Sequence, residues 1–245
     1  MTDSRLFDMA LLLILAALLV LMGRWLVKWG RETAEKQHRA DDGTALSPIP
    51  ETALTPLDDT PDGPVLFGYK MGWLAVKCED PHRLMEVLGL QNSRPANWTT
   101  GLARAGWLGQ VFVSPALDGY VLAVGLWAED LEDVPGRMER LVDSFPEVQL
   151  FGTQRISDYH YWTKYIDGKV ARNYIYQDAE TSWVEGDLTP EELALGFERF
   201  SGANRESGWF PGEEDVLDIA AAWGVDPRFQ KEAYPPSVGW VCDCT

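Results

Sequence analysis

His160 lies in the run Asp158-Tyr159-His160-Tyr161-Trp162. On a strand, Asp158 and His160 share one face, so the carboxylate can orient the imidazole. Nucleophilic catalysis also needs a serine or cysteine converging on that pair, and none sits in a nucleophile-elbow sequence. His160 therefore reads first as a hydrogen-bonded structural histidine and second as a partner-binding one. Cys242-Asp243-Cys244 is a thiolate pair of the kind soft metals favour, but a closed zinc site takes four ligands. It reads as a frayed tail with free thiols. Carboxylates cluster in Glu129-Asp130-Leu131-Glu132-Asp133, in 178–187 (Asp178, Glu180, Glu185) and in Glu213-Glu214-Asp215. Metal-dependent nucleases set such acids beside a Lys as Glu-x-Lys on a strand, and calcium loops space them as Asp-x-Asp-x-Asp. Neither pattern occurs. A Walker loop and GxGxxG are absent too. No catalytic residue, metal or cofactor is assigned; the acids are solvated charge, helix N-terminal residues or a surface for a basic partner.

The elements that position these residues follow from periodicity. A strand is predicted over 72–78, then a helix begun by Asp80-Pro81 with an apolar stripe of Leu84, Val87 and Leu88. The β-rich runs 110–114 and 120–126 flank Asp118-Gly119, a hairpin turn, and the second is apolar on both faces, as in a central strand. Helical spacing marks 134–145. Strands follow over 148–152, 158–166 and 169–177, the last two joined at Asp167-Gly168, and a further one over 181–185. Thr189-Pro190-Glu191-Glu192 is a capping box, with Leu193, Phe197 and Phe200 as its buried face. Residues 213–223 form a last helix with three acids in its first turn. The fold class is α+β, a mostly antiparallel sheet with flanking helices.

Composition narrows function. The 245 residues carry 21 Lys+Arg and 38 Asp+Glu, a net charge of −17. Such a surface repels phosphate backbones, which excludes direct nucleic-acid binding through a basic patch and favours a basic protein partner. The charge is uneven: residues 1–40 hold six Lys/Arg and four Asp/Glu, leaving 15 against 34, or −19, for 41–245. Hydrophobic residues at 46% and 11 Trp rule out a largely disordered chain. Three cysteines (Cys78, Cys242, Cys244) cannot all pair within one chain, which argues against a disulfide-built scaffold.

Met9–Met22 is fourteen residues without a charge, and 6–29 spans a bilayer if Arg24 and Lys28 snorkel. Arg5 lies between two aspartates and no small-residue cleavage site follows, unlike a signal peptide. Residues 6–29 are thus expected to be a retained transmembrane anchor, and 30–64, with five prolines in 41–64, a juxtamembrane segment and linker. The acidic α+β domain is expected over 65–245. Arg24, Lys28, Arg31, Lys36 and Arg39 follow the apolar core while Arg5 alone precedes it, which places that domain in the cytoplasm, on a bacterial inner membrane.

Phe151-Gly152-Thr153-Gln154-Arg155 with Tyr159-His160-Tyr161-Trp162, and Glu213-Glu214-Asp215-Val216 with Ala222-Trp223-Gly224-Val225-Asp226-Pro227, resemble blocks of bacterial proteins from polymorphic-toxin and type VI secretion loci. Over about 65–230 the chain is similar to immunity proteins encoded beside restriction-endonuclease-like toxin effectors. The resemblance implies a non-enzymatic inhibitor that binds a cognate toxin directly, and no catalytic residue. Its expected contact surface is Glu129, Asp130, Glu132, Asp133, Tyr159, His160, Trp162, Asp178, Glu180, Glu185, Glu213 and Glu214. The alternative is a membrane-anchored scaffold or assembly factor of an envelope or secretion machine. Homo-oligomerisation stays open.

Overall fold

The computed structural model describes residues 49–202, 206, 208–230 and 233–244. The expected anchor (6–29), the tether as far as residue 48 and the orientation argument lie outside the described residues. Among the described residues no helix is long and apolar enough to cross a membrane.

Nine strands form one antiparallel sheet in the order β2-β9-β3-β4-β1-β5-β6-β7-β8. In chain order they are β1 (Met71–Lys77), β2 (Gln91–Ala96), β3 (Val111–Val113), β4 (Tyr120–Val124), β5 (Glu147–Gln154), β6 (Tyr159–Ile166), β7 (Lys169–Gln177), β8 (Glu180–Glu185) and β9 (Gly239–Asp243). The helices are α1 (Glu51–Leu54), α2 (Pro81–Leu88), α3 (Trp98–Leu108), α4 (Ala128–Glu132), α5 (Arg137–Ser144), α6 (Pro190–Ala194) and α7 (Glu213–Trp223), with a 3-10 turn at Phe197–Phe200. The fold is α+β, with a large antiparallel sheet flanked by helices.

Strand alternation divides the core into two layers. On the first face Trp73, Phe112, Leu122, Phe151 and Trp162 pack with Trp98 and Leu102 of α3, Phe197, Phe200, and Val216 and Ile219 of α7. On the second, Leu74, Val121, Leu150, Tyr159 and Tyr161 meet Leu84 and Leu88 of α2, Leu131 of α4 and Leu141 of α5. β4 is buried along its whole length, as its two-sided apolar run requires. Gly152 opposes Tyr161 across β5–β6, and an added Cβ would lie 2.1 Å from the phenol ring. Glycine there lets the ring lie flat on the neighbouring backbone.

Local signals are realised where expected. Asp80 accepts the His82 N–H at 2.9 Å and Pro81 opens α2. The Thr189 side chain and Glu192 cap each other. At the β6–β7 turn, Asp167 and Gly168 have φ of 48° and 76°, the left-handed pair a two-residue hairpin needs. Leu193 does not join the core, because the helix ends within a turn and Phe197 and Phe200 of the following 3-10 turn fill the site.

Three expectations are corrected. First, within the expected linker, residues 49–64 pack onto the rest of the described unit. Ala53 of α1 is buried, and Asp62 accepts from Trp98 N, Thr99 N and Thr99 Oγ1 at 2.7–3.0 Å, capping α3 from outside. Those bonds hold down a segment that composition presents as linker. Second, the 242–244 tail is not frayed: β9 inserts between β2 and β3, and Cys242 is fully buried. Third, β2 and α3 occupy a stretch from which no element was expected. β2 is polar with Pro95, acceptable because it is an edge strand, and α3 starts at an Asn97 cap that accepts the Thr100 N–H at 3.0 Å.

Candidate functional site

The histidine motif is brought together but sealed. His160 Nδ1 and Thr153 Oγ1 are hydrogen-bonded at 3.0 Å across β5–β6, and Nε2 lies 3.8 Å from Asp158 Oδ1. Tyr176 donates its hydroxyl to Asp158 Oδ2 at 3.1 Å and stacks its ring on the imidazole. A hydroxyl, an imidazole and a carboxylate thus stand in line, yet His160 is 2% exposed and Thr153 is fully buried, so no substrate reaches either. Burial holds the His160 pKa below its ordinary value, against the pull of Asp158, Glu213 and Asp215, which keeps the ring neutral at neutral pH. The cluster is a structural brace.

Tyr159 and Trp162 are corrected likewise. Both are buried: Tyr159 donates to Glu129 Oε1 at 2.8 Å, and Trp162 stacks on Tyr174 with its indole N–H on Glu192 at 2.8 Å. Alternation separates the strand faces correctly, but helices α6 and α7 and the 3-10 turn cover the first face and remove His160 and Trp162 from any interface. Beneath Trp162 lies a feature the sequence did not announce. Arg172 Nε donates to both oxygens of fully buried Glu192 at 2.9 and 3.0 Å, and its Nη1 donates to Gly186 O at 3.0 Å. The pair ties β7 to α6 and to the residue that follows β8.

The acidic clusters separate by what they do. Asp130 caps α4 by accepting the Trp127 N–H at 2.8 Å, and Glu129 faces Tyr159. Glu132 and Asp133 are exposed at the end of the same helix. Glu213 accepts from Lys70 N and lies 3.5 Å from Arg155, while Glu214 accepts from the Tyr69 hydroxyl at 2.6 Å, so both fasten the start of α7 to the β1 approach. Asp178, Glu180 and Glu185 are exposed on the β7–β8 hairpin, with Asp187 just beyond.

That hairpin also carries accessible apolar surface. Trp183 is 45% and Val184 49% exposed. Register puts Trp183 opposite Ile175 on the second face and Val184 opposite Tyr174 on the first. On the first face, Tyr176 (the partner of Thr181) contacts Phe210, which is 40% exposed beside Trp209 at 61%. Between Glu180 and Glu185, Trp183 therefore stands on one side of β8 and Val184 on the other, while Phe210 packs on Tyr176 of the neighbouring β7. Sequence alternation marks 181–185 as a strand, but not that it is the last strand of the sheet.

Among the described residues, no group of three or more His, Cys, Asp or Glu is placed to hold a metal. Cys242 Sγ faces Met85 Sδ at 3.3 Å, Cys244 accepts from Arg137, and burial followed by Asp243 pushes the Cys242 thiol up to about 11. Such a thiol stays protonated and is a poor ligand. No family model matches the chain, no curated protein matches it, and no solved structure matches its fold.

Proposed function

We propose that this chain is a membrane-anchored immunity protein that neutralises a basic, nuclease-type toxin effector by direct binding, without catalysis of its own. The observation that carries the reading is the β7–β8 hairpin, where Asp178, Glu180, Glu185 and Asp187 surround exposed Trp183 and Val184 in a region of net charge −19. Carboxylates steer a cationic protein in and raise its association rate, while aromatic anchors slow its release. The sealed His160 cluster supports an inhibitor over a hydrolase, because its hydroxyl and imidazole are closed to reagents. In this reading residues 6–29 hold the acidic domain at the cytoplasmic face of the inner membrane, where an injected toxin arrives.

The test is titration of the full-length chain with the product of the neighbouring gene. Binding should be submicromolar and weaken steeply between about 50 and 500 mM salt, as screening of an ionic interface requires. No complex at micromolar concentrations overturns the reading. Salt-insensitive binding to an envelope component would favour the scaffold alternative.

A further inference from the structure

The pairing of β8 with β7 is not a regular ladder. Gln177 lies opposite Glu180 and Tyr176 opposite Thr181, but Ile175 lies opposite Trp183, so Ser182 is an extra residue in β8. Without that shift Glu180 and Trp183, three residues apart, would point to opposite faces. With it, Glu180, Trp183 and Glu185 take the faces of Gln177, Ile175 and Asn173, which alternate along β7 and share the second face with Tyr161. Two steps of β7 separate each from the next, so the side chains stand about 7 Å apart with the indole in the middle. All three are exposed. The second-face core layer takes Ile175 from β7 but no residue from β8. Neither carboxylate has an ion-pair partner among the described residues. The nearest strand cations, Lys164 and Arg172, are engaged by Glu147 and Glu192 on the first face.

We infer that the second face of β8 docks a basic partner protein through an arginine, its guanidinium laid on the Trp183 indole and its N–H fork turned to Glu180 or Glu185. The inference rests on the binding reading above and names the face and the chemical group it recognises. Charge and shape select the occupant. An indole attracts a cation over its ring, and a guanidinium is the cation that can stack there and still donate two parallel bonds to a carboxylate. Lysine offers a compact, more strongly hydrated charge and cannot do both. A phosphate surface is repelled by the two acids, and a second copy of this chain would bring the same acids against them. The platform is held before any partner arrives. Asp178 and Ala179 turn the chain into β8 at φ of 52° and 63°, and Arg172, locked on Glu192, grips the Gly186 carbonyl just after Glu185. A surface fixed in this way loses little freedom on binding.

The experiment uses the full-length chain in mild nonionic detergent at low salt and three eight-residue peptides of glycine and serine. They carry two arginines, two lysines or two neutral citrullines at the same positions, two residues apart. The arginine peptide should shift the Trp183 indole N–H resonance, assigned by its loss in Trp183→Leu, and bind at least tenfold more tightly than the citrulline peptide. The lysine peptide should fall between them. In variants of unchanged melting temperature, Trp183→Leu should weaken arginine-peptide binding at least threefold, and Glu180→Gln with Glu185→Gln at least tenfold. Absence of arginine-peptide binding, binding indifferent to these substitutions, or lysine binding as tight as arginine overturns the assignment. The triple variant (Trp183→Leu, Glu180→Gln, Glu185→Gln) separates the two readings. If it still captures the basic toxin at full affinity, docking on this face fails while the binding function stands; if the unmodified chain captures no basic toxin, the function itself fails.

Discussion

Replacing Glu192 by alanine should remove more stability than any surface change in the molecule. The carboxylate is fully buried and receives four hydrogen bonds from three donors: two from Arg172 Nε, one from the Trp162 indole and one from Thr189 N at 2.8 Å. Arg172 is 3% exposed, so Glu192→Ala strands a guanidinium where water cannot replace the lost partner. Breaking one side of a buried pair costs about 3–5 kcal/mol. For a unit spanning 49–245 that lowers the melting temperature by roughly 6–20 °C, at about 2–4 °C per kcal/mol. Arg172→Leu with Glu192→Leu removes both charges and leaves neutral donors short of an acceptor, at about 1–3 kcal/mol. The double variant should therefore be more stable than Glu192→Ala, with strong coupling between the sites. Thermal and urea unfolding, followed by far-UV circular dichroism and by Trp fluorescence, measure this directly. A Glu192→Ala loss below about 1 kcal/mol, or single effects that merely add, would refute the reasoning.

Two further outcomes follow from the burial of His160 and the turn at Ala179. His160 has a folded pKa below its unfolded value near 6.5, so its contribution to stability is complete above pH 6.5 and is lost as pH falls through the folded value. Between pH 7.5 and 5, the wild type should lose more urea stability than His160→Gln, with a slope difference of at most about 1.4 kcal/mol per pH unit; equal losses would contradict this. Ala179 sits at φ 63° in the β7–β8 turn, and Ala179→Gly should raise stability by about 0.5–1 kcal/mol, seen as a higher melting temperature; a decrease would count against strain at that turn.

What the sequence discloses depends on how far apart the interacting residues lie. The Asp167-Gly168 turn, the Asp80 cap and the Thr189–Glu192 capping box are decided within four residues, and each is legible. Alternation in 159–166 separates Tyr159 and Tyr161 from His160 and Trp162. Whether a face is covered depends on residues distant in the chain, Phe197, Val216 and Trp223 on the face of His160 and Trp162, and Trp127 and Glu129 over Tyr159, so the expectation of an exposed aromatic interface fails for all three. The stretch 49–64 reads as tether because its bonds are made by isolated polar groups such as Asp62, whose partners at Trp98 and Thr99 no local pattern reveals. The β8 acids are visible as charge, but their place on the last strand of the sheet depends on strand order.

That strand order also governs when the sheet can be assembled. β9 is the last strand in chain order, yet it lies between β2 and β3, so neither has its neighbour until residues 239–243 emerge from the ribosome. Until then Val111 and Phe112 of β3 lie beside an empty lane, and the β2 segment has nothing to join. The hairpins of β5 to β8 close earlier, from contacts near in sequence. Synthesis thus passes through a stage in which one half of the sheet is complete and the other waits, a window in which a chaperone or a misplaced strand competes for the gap.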